Sequence, residues 1–116
     1  MMPALREAVR ELQAEKKTLD RLRRQLRELT PAMRGNGHAG EARELEERIH
    51  EKITVLRNGL EAIGDAGVLV KDIDMGLVDF PSERDGHTVY LCWMIEEPDI
   101  LFWHHVDDGY QGRQPL

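Results

Sequence analysis

The spacing of apolar positions changes period once along the chain. From Pro3 to Leu29 the apolar residues Leu5, Val9, Leu12, Leu19, Leu22, Leu26 and Leu29 fall at spacings of 4, 3, 7, 3, 4 and 3. That is the seam of an amphipathic helix. Lys16 occupies the vacant seam position, and the 3-3 step through Leu19 to Leu22 shifts the heptad phase. A local hairpin is therefore favoured over a long uninterrupted coiled coil. PAMRGNGHAG, residues 31–40, breaks the pattern with one Pro and three Gly and predicts a turn. A second seam follows at Leu45, Ile49, Ile53, Leu56, Leu60 and Ile63 and stops at Gly64 and Gly67. Each helix spans roughly 40 Å at about 1.5 Å per residue, and together they predict an antiparallel, coiled-coil-like hairpin over residues 3–66. Gly59 costs that helix about 1 kcal/mol relative to Ala unless a close contact requires it.

After Gly67 the apolar residues alternate. VLVKDI, GLVDF, TVYLCWMI and ILFWHH are separated by DMG, RDGH and EEPD, which predicts a four-stranded antiparallel meander with a tail over residues 67–116. The whole is a single α+β domain. Asp85-Gly86 suits a type I′ turn, whose two central residues need positive φ. Counting back from it pairs Phe80 with Leu91, Asp79 with Cys92 and Val78 with Trp93. A next turn centred on Glu97-Pro98 pairs Trp93 with Phe102, Cys92 with Trp103 and Leu91 with His104. One face then carries Val78, Phe80, Val89, Leu91, Trp93, Ile95, Ile100, Phe102 and His104, and should pack on the helices. The other carries Leu77, Asp79, Pro81, Tyr90, Cys92, Met94, Leu101, Trp103 and His105. This mixed face is expected to lack cover within the chain.

Charge is spread unevenly over the 116 residues, whose net charge is -6. Basic residues number 8 against 5 acidic ones over residues 1–30, 4 against 7 over 39–66, and 3 against 10 over 67–116. The acidic C-terminal part repels phosphate backbones, so nucleic acid is not an expected partner. The basic first helix is explained by the acidic second one beside it. One cysteine excludes an internal disulfide, and no signal segment or long apolar run appears, so a cytoplasmic protein without membrane contact is expected. No phosphate-cradling loop, serine elbow or paired-cysteine zinc pattern is present.

Both tryptophans, the cysteine and two histidines fall within residues 91–105. Asp79, Cys92 and His105 share a predicted face on three strands about 4.8 Å apart, a set that suits a metal ion or a Cys-His-Asp relay. Against this stands Cys92 as an apolar filler opposite Trp103. Trp103-His104-His105-Val106-Asp107-Asp108 invites a metal reading too. Neighbouring strand residues point to opposite faces, however, which favours His104 bonded to backbone and Asp107-Asp108-Gly109 as a turn. Glu96-Glu97-Pro98-Asp99 reads as an acidic lip or a solvated turn, and Arg113 as an anchor onto carboxylates.

The motifs GLVDFP at 76–81, LCW at 91–93, Glu97 before a turn, WH at 103–104 and G–GRQP at 109–115 resemble a bacterial family, domain of unknown function 2203. The likeness is strongest over residues 67–116. The chain departs from the family pattern in Glu96-Glu97, where relatives carry Gly-Glu, and in His105, where they carry an acidic residue. The resemblance implies Asp79, Cys92, Trp93, Glu97, Trp103, His104 and Arg113 as shared positions and implies no activity.

Two functions are expected from these features. The first is a scaffold or interaction module that assembles as a homo-oligomer, most simply a dimer, because small chains with uncovered apolar surface complete their cores by association. Cys92, Trp93, Trp103, His105 and Arg113 are its candidate contact residues. The alternative is a divalent-metal-binding or metal-assisted hydrolytic protein with Asp79, Glu97, His104 and Asp107 as ligands, in an acidic field that concentrates cations.

Overall fold

The computed structural model describes residues 2–29 and 31–116; residue 30, inside the predicted hairpin, lies outside the described residues. Helix α1 (Met2–Glu28) and helix α3 (Ala39–Asp65) form the antiparallel hairpin. The predicted turn between them is itself helical: a one-turn helix α2 (Pro31–Met33) leads into a π turn at Arg34–His38. Pro31 suits a first helical position, where no N–H is needed, and Gly37 takes φ +100, which a side chain would resist. α3 stops where the glycines predict. Gly67 at φ +85 donates its N–H to Gly64 O at 2.9 Å, and Val68 donates to Ile63 O, so the helix's last carbonyls are satisfied as the chain leaves it.

The seams form the core. Leu5, Val9, Leu12 and Leu19 of α1 and Leu56 and Ile63 of α3 pack with Val78, Trp93 and Ile95 of the sheet, while Leu22, Leu29, Ala42 and Leu45 make a second cluster at the far end of the hairpin. Lys16 fits its seam position because Asp20 and Asp74 hold its ammonium at 3.0 and 3.4 Å. Gly59 has the close contact that justifies it: a Cβ there would lie 2.5 Å from Leu12 Cδ2.

The sheet has five strands, not four, joined in chain order: β1 (Leu69–Asp72), β2 (Leu77–Arg84), β3 (His87–Met94), β4 (Phe102–His105) and β5 (Gln114–Pro115). The fifth is two residues of the tail, which pair Phe102 with Pro115 and Trp103 with Gln114. The β2–β3 register is as the sequence predicts, from Arg84 opposite His87 to Val78 opposite Trp93, around Asp85 and Gly86 at φ 53 and 79.

The β3–β4 register differs from expectation by one residue. Cys92 faces Phe102, Leu91 faces Trp103 and Tyr90 faces His104. The cause is a tight turn off the end of β3. Glu97 donates its N–H to Met94 O at 2.8 Å, and its carboxylate accepts the Met94 N–H at 2.7 Å. Trp93 Nε1–H adds a bond to Glu97 O at 3.0 Å. The chain then needs residues 98–101 to return, so no two-residue turn forms at Glu97-Pro98. Because strand side chains have period two, this slip moves Phe102 and His104 onto the face of Asp79 and Cys92, and Trp103 and His105 onto the other. The mixed face is also not bare. A 3-10 turn (Tyr110–Gly112) and Arg113 fold across it, and Arg113 stacks 4.1 Å from the Phe102 ring centre and 4.9 Å from that of Tyr110.

Candidate metal centre

Three neighbouring strands place one donor each on the face beneath the tail. Asp79 comes from the first half of β2, Cys92 lies directly opposite on β3, and His104 arrives from β4 through the shifted register. A carboxylate oxygen, the thiol sulfur and an imidazole nitrogen lie within 4.8 Å of one another, and all three residues are buried. Asp79 retains 2% of its exposure and His104 3%, which for a carboxylate and an imidazole demands partners.

The hydrogen bonds of His104 define the electrostatics of this cluster. Nδ1 lies 2.8 Å from His105 O and Nε2 lies 3.0 Å from Asp79 Oδ1. A carbonyl oxygen only accepts, so Nδ1 carries the proton and donates. The neutral ring then turns its Nε2 lone pair toward a carboxylate, which is also an acceptor. Two buried acceptors at this distance need something between them: a proton shared by the pair or a metal ion held by both.

Burial pushes the Cys92 thiol up to about 11, with the Asp79 charge and hydrogen bond adding to the rise and the Arg113 guanidinium opposing it. Beyond Cys92, Arg113 Nη2 donates to Glu97 Oε1 at 2.5 Å and to Cys92 O at 3.2 Å. Desolvation works against the Arg113 charge more strongly than any one contact supports it, and the Glu97 hydrogen bond and charge, with Cys92 and Tyr110, together hold the guanidinium above its ordinary value. Glu97 and Arg113 thus neutralise each other at one side of the cluster. On the other side a cleft of about 190 Å³ reaches Asp79 and His104 between Lys71, Tyr90, Asp108 and Tyr110. The Lys71 ammonium sits 5.3 Å from the Tyr90 ring centre at its rim.

The structure redistributes the residues singled out from sequence. Asp79 and His104 come together and Cys92 joins them in place of two expected ligands. Glu97 is committed to Arg113 and the Met94 N–H, and Asp107 is exposed in the turn after β4. His105 leaves the Asp79–Cys92 face and lies exposed, edge-on to Trp103 at 4.9 Å. Trp103 is buried beneath the Arg84 guanidinium, 4.5 Å from its ring centre. Trp93 is wholly buried in the helix-facing core, with Arg6 5.0 Å above it. Lys71 and Tyr110 belong to the cleft unforeseen. Lys71 follows from β1 alternation once Leu69 is set opposite Asp79, whereas no local pattern places Tyr110.

A family model described as "Uncharacterized conserved protein (DUF2203)" matches residues 1–116. The chain belongs to the DUF2203 family. The match covers the helical hairpin as well as the strands, so the resemblance of the C-terminal motifs extends to the whole chain. No curated protein and no solved structure matches it. Within this DUF2203 chain, Asp79, Cys92, Glu97, His104 and Arg113 make up one connected polar network on one sheet face. No helix among the described residues is long and apolar enough to cross a membrane.

Proposed function

We propose that this DUF2203 protein binds a divalent transition metal through Asp79, Cys92 and His104 and presents it to a small ligand in the adjoining cleft. The observation that carries the reading is the 3.0 Å approach of His104 Nε2 to Asp79 Oδ1, with Nδ1 already committed to a carbonyl. An Nδ1–H···O=C bond is the usual second-sphere device that aims Nε2 at a metal. The donor set of one sulfur, one nitrogen and one oxygen suits zinc best among common ions. A thiolate and a carboxylate also balance the charge of a divalent ion, which compensates for their burial.

Three protein ligands leave a fourth position, the pattern of metal sites that take a water or substrate rather than closed structural ones. The cleft beside Asp79 and His104 supplies the space. A metal-bound water there would ionise near neutral pH, which makes hydrolysis of a small polar substrate the chemistry to screen.

The test is elemental analysis of tag-free protein, before and after dialysis against zinc, beside His104→Ala and Asp107→Asn. Near-stoichiometric metal in the wild type and in Asp107→Asn, with none in His104→Ala, is expected. Wild-type protein that holds no metal after dialysis refutes the proposal and leaves a proton between His104 Nε2 and Asp79 Oδ1.

A further inference from the structure

The helical hairpin carries a second, independent feature. The whole chain has a Cα radius of gyration of 18.7 Å within extents of 65 × 25 × 23 Å, whereas a compact chain of this length has a radius of about 13 Å. A two-helix arm projects from the sheet, and one flank of it is an open groove of about 490 Å³ floored by Leu19, Ile53, Leu56 and Leu60. Ile53 and Leu60 are only half-buried there.

We infer that this groove is the contact between two copies of the chain, packed antiparallel about a two-fold axis through its middle. Charge selects both the occupant and its direction. Leu12 packs on Gly59, and Lys52 pairs with Glu15 at 2.7 Å, which fixes the level of each helix against the other. On that scale Arg23 lies at the groove end away from the sheet and Glu61 at the end near it. Both are exposed groove-lining residues, and neither pairs with another described residue. Turning a second copy through the axis sets Arg23 against the partner's Glu61, twice. A parallel arrangement sets like charges together instead, which is disfavoured.

The remaining cations do not upset this arrangement. Lys16 is neutralised by Asp20 and Asp74, and Arg57 lies at the exposed rim, where solvent screens it. The apolar floor of one copy then covers that of the other and turns the two-helix arm into a four-helix bundle, a self-complementary contact of the commonest oligomeric kind.

Light scattering and sedimentation equilibrium of the full chain across a dilution series test the inference, with circular dichroism confirming that each variant is folded. A dimer is expected. Arg23→Glu and Glu61→Arg should each weaken it about tenfold, and the double reversal should restore it to within about threefold. The inference is overturned by a monomer at every concentration, including one whose groove takes an acidic helical peptide instead. A dimer indifferent to the single reversals, or a double reversal no better than either, overturns it equally. None of these outcomes depends on metal content.

Discussion

At Cys92 the same side chain serves opposite ends depending on what occupies the cluster. Without a metal the buried thiol holds its proton to about 11, against an ordinary 9.0. Native metal-free protein should therefore react slowly with iodoacetamide at pH 8, and the pH profile of that reaction should have its midpoint near the raised value. The sign for stability follows: the folded value lies above the unfolded one, so this contribution is complete below pH 9 and is lost as pH rises through about 11. Denaturation midpoints across that window should fall more steeply for wild type than for Cys92→Ala. A metal reverses the preference, because a coordinating thiol is deprotonated. Cobalt-loaded protein should show a thiolate-to-metal absorption band that Cys92→Ser abolishes. Residue type alone singled out Asp79, Cys92 and His104 in the sequence. Asp79 was paired there with Cys92 by register and with His104 as a metal ligand, but the set of three was not legible, because a register slip of one put His105 on the Asp79–Cys92 face in place of His104.

Among the elements, the connection after β3 shows where that error arose. Alternation reports faces, and Asp85-Gly86 reports its own turn because both residues need positive φ. Nothing of that kind marks Met94–Glu97, whose geometry rests on a glutamate carboxylate bonding back to a backbone N–H. β5 was equally hidden, since two residues are too few for a period to appear. The two long helices were legible because seven and then six seam positions repeat one signal, whereas the helical turns at Pro31–Met33 and Arg34–His38 between them carry no such repeat. Two glycines separate backbone need from packing need. A Cβ at Gly76 would lie 2.5 Å from Ile95 Cγ2 and 2.7 Å from its Cβ, at φ +68, and Ile95 is buried. Gly76→Ala should lower unfolding free energy by about 2–4 kcal/mol in a chemical denaturation series. At Gly59 the neighbour is one methyl of Leu12, and the gain in helix propensity of about 1 kcal/mol opposes that crowding. Gly59→Ala should accordingly stay within about 1 kcal/mol of wild type in the same assay.

The whole molecule is a sheet module and a projecting arm that share one core, in which Leu5, Val9, Leu12 and Ile63 pack with Val78, Trp93 and Ile95. The division into hairpin and meander was plain from the change of period. The cover over the mixed face was not, because the tail has no periodic signal and lies there through Arg113 stacking on Phe102 and Tyr110. If three strands share one ion, metal binding and sheet stability are linked. Zinc at a hundredfold excess over its dissociation constant should raise unfolding free energy by about 2.7 kcal/mol, and a chelator should remove that increment, as read by thermal melting. His104→Ala should melt at the same temperature with and without zinc.

The chain-order pairing of the strands has a kinetic consequence. Every strand bonds to its predecessor in sequence, and each helix of the arm lies against the other across a short reversal. Loop-closure entropy is small for such neighbours, so each unit can form quickly from local contacts. Distant parts of the chain must find each other only where the arm meets the sheet, where Leu5, Val9 and Leu12 pack with Val78, Trp93 and Ile95 while Arg6 bonds the carbonyls of Ile95 and Glu97 and Gln13 that of Ile73. Refolding should divide there, into rapid formation of two local units and a slower docking step, with Trp93 fluorescence under Arg6 as the natural clock for the second.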